Sequence, residues 1–225
     1  MATEAVIWDM DGVIADTGRF HFRSWQELAR ENGIPFSQDD FKHSFGRRNP
    51  EILTSLFGPG LSTEEVRRLS NRKEKLFRML MEGNVKPFPG ALELMRSLRD
   101  RGFKQAMATS TPVENVALVL GALGIAHFFQ HVVTDKDVDK GKPDPEAFLK
   151  AAAGLSVSPE CGVVIEDAVD GVRAAKSAGM KCIAVTNTHP RDKLVEADMV
   201  VDSLTEVSVE TIEGILHQGG RQWTS

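Results

Sequence analysis

Acidic pairs stand at two points of the chain where chemistry can use them. Asp9 and Asp11 close the apolar run Ala5-Val6-Ile7-Trp8, with Gly12 following at once, and Glu166-Asp167 close a second run that starts at Gly162. Apolar runs of this length read as strands buried on both faces. In open parallel sheets, ligands gather outside the carboxyl ends of the strands. Two further strand ends carry anion-binding groups. Thr109-Ser110-Thr111-Pro112 offers hydroxyls and free N–H groups where a helix begins. Lys142 precedes Pro143-Asp144-Pro145-Glu146, a helix start that holds it in place. Carboxylates converging on one edge repel each other unless something positive sits among them, and a hard cation such as Mg²⁺ is the economical answer. One carboxylate can then attack as a nucleophile and another can move a proton. The chemistry these residue types suit is phosphoryl transfer, which needs mainly positioning and charge neutralisation.

The elements that must position these groups follow from periodicity. After Gly12 the pattern turns helical. A helix over 19–32 carries Phe22, Trp25, Leu28 and Ala29 at three- and four-residue spacing and closes at Asn32-Gly33. Shorter helices over 38–45 and 50–56 are broken by Gly58-Pro59-Gly60. A long one runs from 63 to about 82, capped by Ser62 or Thr63, with Val66, Leu69, Leu76 and Leu80 on one face. From Pro87-Phe88-Pro89-Gly90 onward strands alternate with helices: helices over 91–101, 113–123, 145–154 and 171–178, strands over 104–109, 131–134, 162–166, 181–185 and 199–201. Repeated units of this kind imply a doubly wound, Rossmann-like parallel sheet with helices on both faces, to which the strand over 4–9 also belongs. The expected α/β fold has residues 1–16 and 87–225 as its core and 17–86 as an inserted helical cap domain over the strand ends.

Composition bounds the partners. The 225 residues are 41% hydrophobic and 26% charged, with a formal net charge of -5. That mild acidity argues against broad binding of nucleic acid or membrane surfaces. No apolar segment approaches the ~20 residues that span a bilayer, and no basic stretch followed by an apolar run marks a secretory signal. Cys161 and Cys182 have neither metal-ligand nor disulfide-scaffold spacing and read as buried reduced thiols. The expectation is a cytoplasmic protein, monomeric or weakly self-associating, acting on a small phosphorylated metabolite.

The set Asp9-Met10-Asp11-Gly12, Thr109-Ser110, Lys142-Pro143-Asp144-Pro145 and Glu166-Asp167 resembles the four motifs of the haloacid dehalogenase superfamily, in order and over nearly the whole chain. Within it the chain is similar to the β-phosphoglucomutase-like phosphatases and mutases. The resemblance implies that Asp9 is the nucleophile forming an aspartyl-phosphate, and that Asp11 protonates the leaving oxygen and then deprotonates water or a hydroxyl. It implies that Thr109 and the Ser110 N–H hold phosphoryl oxygens and that Lys142 balances charge. Mg²⁺ would be held by Asp9, the Asp11 carbonyl and Asp167, with Glu166 assisting directly or through water. An acid at position 11 sets the chain apart from the dehalogenase branch.

Substrate choice is expected in the cap. His21 lies close behind the catalytic loop and reads as substrate-facing, whereas Trp25 reads as cap core. The paired arginines Arg47 and Arg48 can bind a second phosphate or carboxylate. In the mutase relatives the phosphate-gripping arginine falls where this chain has Asn49. Lys73 reads as an exposed helix position, Thr111 and Asp170 as helix caps, and Lys136 and Lys140 as surface. The expected function is a Mg²⁺-dependent phosphatase, with a sugar phosphate as the expected substrate. A phosphohexomutase is the nearest alternative. A phospho-accepting signalling receiver would not need about 70 inserted residues, and a phosphonate-cleaving enzyme would need Lys73 or Lys42 as an imine-forming lysine.

Overall fold

Strand β1 (Ala5–Trp8) lies at the centre of a six-stranded sheet and is buried over its whole length. The computed structural model describes residues 3–217; the first two and last eight residues of the expected core segment lie outside them. β1 pairs in parallel with β2 (Lys104–Ala108) on one side and β4 (Gly162–Glu166) on the other, Ile7 facing Ala106 and Val164 in register. With β3 (His131–Val133), β5 (Lys181–Val185) and β6 (Met199–Val201) the order is β3-β2-β1-β4-β5-β6, every pair parallel. The order reverses between β1 and β4, so the crevice for a ligand opens where those two strands end.

Alternation along β1 sends Val6 and Trp8 into one apolar layer and Ala5 and Ile7 into the other. The first layer is covered by α5 (Ala91–Arg101), α6 (Val113–Leu123) and α9 (Val209–His217), the second by α7 (Glu146–Leu155) and α8 (Val169–Ser177). Helix α9 was not read from the sequence, although Val209, Ile212 and Ile215 recur every three residues and are buried. Cys182 is buried and free, whereas Cys161 is free but only half-buried, against the expectation. No helix among the described residues is long and apolar enough to cross a membrane.

Between β1 and α5 stand four helices: α1 (Gly18–Glu31), α2 (Gln38–Ser44), α3 (Asn49–Phe57) and α4 (Thr63–Met81). Ser37 with Asp40 and Ser62 with Glu65 form reciprocal capping boxes that start α2 and α4. This helical insert has its own apolar centre, Trp25, Leu28, Ile52, Leu53, Leu69 and Leu76. Its base is tied to the sheet, because Phe20, Phe77 and Met81 join the first sheet layer. The two crossings into and out of the insert run side by side, with the Asp16 N–H donating to the Lys86 carbonyl at 3.0 Å and the Phe88 N–H to the Ile14 carbonyl at 2.9 Å.

Leu53 is fully buried in the insert's centre. Leu53→Ala is expected to cost about 2–5 kcal/mol through lost burial and the cavity left behind, read as a lower urea midpoint.

Candidate active site

The strand ends converge as their register requires. Asp9 follows β1 directly and its N–H donates to the Ile165 carbonyl of β4 at 3.0 Å, which sets the Asp9 and Glu166 side chains close together. Lys142 lies between them, its Nζ 2.6 Å from Asp9 Oδ1 and 2.6 Å from Glu166 Oε1, all three side chains buried. The second oxygen of Glu166 accepts the N–H groups of Asp167 and Ala168 at 2.7 and 2.8 Å. Those two N–H groups lie just before α8, which starts at Val169 with Ala168 in the cap position and no side-chain cap, so Asp170 lies inside the helix rather than capping it. Gly171 allows the close approach, since a Cβ there would overlap the Glu166 carboxylate.

Asp11 sits at the next turn of the loop. Its Oδ1 accepts from Thr17 and stands 3.2 Å from His21 Nε2, and its Oδ2 accepts from Thr111. Thr111 is therefore a partner of Asp11 rather than a helix cap; Pro112 takes the cap position of α6. Gly12 turns the chain with φ +85°, and any Cβ there would overlap the Asp167 carboxylate. Thr188 donates to Asp167, and Asn187 Nδ2 donates to the Gly12 carbonyl at 2.7 Å. This pair after β5 was missed in the sequence, although polar residues at a strand end are the same signal that marked the other loops.

Burial pushes the Asp9 carboxyl up to about 8, with Lys142 opposing and the like charges of Glu166 and Asp11 adding to the rise. Asp167 is pushed well above the carboxylate range by burial, Glu166 and Asp9. Burial would raise Asp11 too, but His21 and hydrogen bonds from His21, Thr111 and Thr17 outweigh it and hold Asp11 at about 2. His21 is itself held below the usual imidazole range by burial and by Lys73. At neutral pH it serves Asp11 as a hydrogen-bond donor through Nε2 while its Nδ1 accepts from Lys73. A cluster of buried carboxylates around one ammonium is short of positive charge, and its donors are all oxygen; both facts fit a hard dication. Among the described residues no three His, Cys, Asp or Glu side chains form a ready-made metal cage. Asp9 and Asp167 could hold Mg²⁺ with a backbone carbonyl, water and a ligand oxygen completing its shell. Glu166, with both oxygens engaged, is placed to orient Lys142.

These groups floor a cavity of about 500 Å³ whose other wall is the insert. Thr109 and Ser110 line it on the sheet side, and His21, Asn49 and Arg47 on the insert side. Arg48 leaves the site: its guanidinium donates to the Asp135 and Asp139 carbonyls at 3.2 and 3.0 Å and braces the insert against a sheet loop. Arg47 is half-exposed and lies 4.0 Å from Asp170. Trp25 is core as expected, with one edge on the cavity. Lys73 overturns its reading as an exposed position. It is 1% exposed, lines the cavity, and donates to His21 Nδ1 at 2.8 Å and Glu74 Oε1 at 2.9 Å. The signal was present, because position 73 falls four after Leu69 and three before Leu76 on the apolar stripe. Lys136 and Lys140 are exposed, as read.

A family model for haloacid dehalogenase-like hydrolases matches residues 3–179, and the chain belongs to that family. The β-phosphoglucomutase of Bacillus subtilis (strain 168) is 36% identical, covering 98% of this chain and 96% of its own length. A phosphorylated carbohydrates phosphatase of Thermotoga maritima is 33% identical over 95% of this chain and all of its own. The crystal structure of a β-phosphoglucomutase from Clostridium difficile superposes with a TM-score of 0.89 at 29% identity, covering 96% of this chain and 98% of that one. The chain is an enzyme of the phosphatase and phosphomutase type.

Gly12→Ala should cost about 1–3 kcal/mol of backbone strain and displace Asp167. An unchanged urea midpoint in that variant would contradict the packing of Gly12 against Asp167.

Proposed function

We propose that this protein is a Mg²⁺-dependent phosphatase that hydrolyses a small sugar phosphate through an aspartyl-phosphate. The observation that carries the reading is the buried set at the β1–β4 crevice, a carboxylate against Lys142 beside a second, hydrogen-bonded carboxylate. Residues 17–86 act as the cap that selects the substrate. In the first half-reaction an oxygen of Asp9 attacks phosphorus, the ester bond breaks, and Asp11 gives its proton to the departing alkoxide. In the second, Asp11 takes a proton from water as that water attacks phosphorus, releasing phosphate and restoring Asp9. Asp11 is an ionised base in the free protein; negative charge brought alongside by the phosphate raises its pKa again, which the acid half requires.

Thr109 and the Ser110 N–H hold phosphoryl oxygens, and Lys142 neutralises charge between Asp9 and the phosphate. Glu166 keeps Lys142 in place. Mg²⁺ held by Asp9, the Asp11 carbonyl and Asp167 supplies further neutralisation of phosphate charge. A phosphohexomutase is the second reading, favoured by the 36%-identical relative named as a β-phosphoglucomutase. There a sugar hydroxyl takes the place of water in the second half-reaction. Against it stands Asn49, at the position where the resemblance to the mutases implies a phosphate-gripping arginine.

³¹P NMR with Mg²⁺ and a panel of hexose and pentose phosphates separates the two. Phosphate release that EDTA abolishes is expected; a phosphate that migrates along the sugar only when bisphosphate is added would replace the phosphatase reading with the mutase. Asp9→Asn should lower turnover roughly a thousandfold or more with the fold retained by circular dichroism. Retained turnover would remove Asp9 as the nucleophile. Mg²⁺ should also raise the melting temperature of the wild-type protein, an effect absent from a protein whose crevice binds no cation.

A further inference from the structure

We propose that Glu74 sets the charge that the insert presents to substrate, and that it selects phosphate monoesters of neutral polyols against the corresponding bisphosphates. This rests on the phosphate-ester reading above. Glu74 follows Lys73 on α4; both are buried and both line the cavity. Lys73 brings an ammonium into the wall opposite Asp11, lying 5.3 Å from the Trp25 ring centre and 4.9 Å from that of Phe77. Alone, that cation would be an attractive seat for a second phosphate. Glu74 occupies it instead, with Oε1 accepting from Lys73 at 2.9 Å and from Asn49 at 2.7 Å. Its Oε2 accepts from Asn115 of α6, which in turn accepts from Arg78 at 2.9 Å. Every partner stabilises the carboxylate form. Burial alone would raise the Glu74 carboxyl, yet the Lys73 charge and hydrogen bonds from Asn49 and Lys73 hold it below its usual range.

The buried wall is therefore neutral in sum and polar in detail. An ammonium has three N–H groups; His21 and Glu74 take two, which leaves one for a substrate hydroxyl. The Asn49 amide and the faces of Trp25, Phe45 and Ile52 complete a surface suited to the hydroxyl and C–H edges of a sugar or polyol. A second phosphate placed there would meet the Glu74 carboxylate with no cation left to neutralise it. Lys42, Arg47 and Lys193 at the mouth are exposed to solvent, and Arg47 already faces Asp170. Solvent screening makes them weak substitutes for a buried cation.

The test measures binding by calorimetry with Mg²⁺ to full-length protein carrying Asp9→Asn, using hexose 6-phosphate and hexose 1,6-bisphosphate as the probes. The monophosphate is expected to bind at least ~10-fold more tightly. Adding Glu74→Gln should narrow that ratio by about tenfold or more, chiefly through the bisphosphate, and adding Lys73→Met to Glu74→Gln should restore the discrimination. Equal or tighter bisphosphate binding in the Glu74 protein would overturn the proposal. So would a ratio that Glu74→Gln leaves unchanged while circular dichroism shows a native fold. If Glu74→Gln does not fold, Glu74→Asn takes its place and the two-probe ratio of the Glu74 protein still decides. Phosphate release by the wild-type enzyme is scored separately, so failure of the phosphate-ester reading is distinguishable from failure of this one.

Discussion

The Lys142 ammonium is the point on which the site's geometry turns. Two buried carboxylates, from strands that are neighbours in the sheet but far apart in sequence, share it at 2.6 Å each. A buried charge without a partner is strongly destabilising, and removing Lys142 leaves both carboxylates uncompensated. Three separate segments are therefore located by one cation: the end of β1, the end of β4, and the loop before α7. From Glu166 the constraint spreads outward. Its second oxygen holds the turn that leads into α8 through the Asp167 and Ala168 N–H groups, and Asp167 meets Thr188 and the bare Cα of Gly12.

The opposite wall is organised by a different rule. Asp11 is satisfied by hydroxyls and an imidazole rather than by a salt bridge to Lys142, and those donors come mainly from the insert side: Thr17 at its first crossing and His21 in α1. His21 is in turn held by Lys73, and it stacks on Phe77 with ring centres 4.0 Å apart. The carboxylate beside Lys142 thus depends on the sheet side alone, while Asp11 depends on both the sheet and the insert.

Much of this was legible in the chain because each signal was local. An apolar run that ends in Asp, Glu, Thr or Ser marks a strand mouth wherever it occurs, and the parallel fold then gathers the mouths without further information. What escaped was non-local or hung on a side chain's direction. Thr111 looked like a cap because its true partner, Asp11, lies 100 residues earlier. Arg47 and Arg48 are adjacent and alike in type, yet one faces the cavity and the other braces two carbonyls of a sheet loop. Which goes where depends on how the chain enters α3. Lys73 was legible and misread, since charge was weighed above its place on the apolar stripe. Glu166 was read as assisting a metal directly or through water; that its oxygens meet Lys142 and the N–H groups of Asp167 and Ala168 is not visible from a strand-end position.

The side-by-side crossings of the insert have a consequence for how such a protein can change. The sheet meets about 70 intervening residues through two short backbone segments hydrogen-bonded to each other, Asp16 to Lys86 and Ile14 to Phe88. To the sheet, that looks like a tight loop closed at its neck. Helices beyond the neck can vary in length as long as Phe20, Phe77 and Met81 keep their places in the sheet layer. The strand-end side of the cavity and its insert side are thus held in common by that neck, by Phe20, Phe77 and Met81, and by the donors that reach back to Asp11.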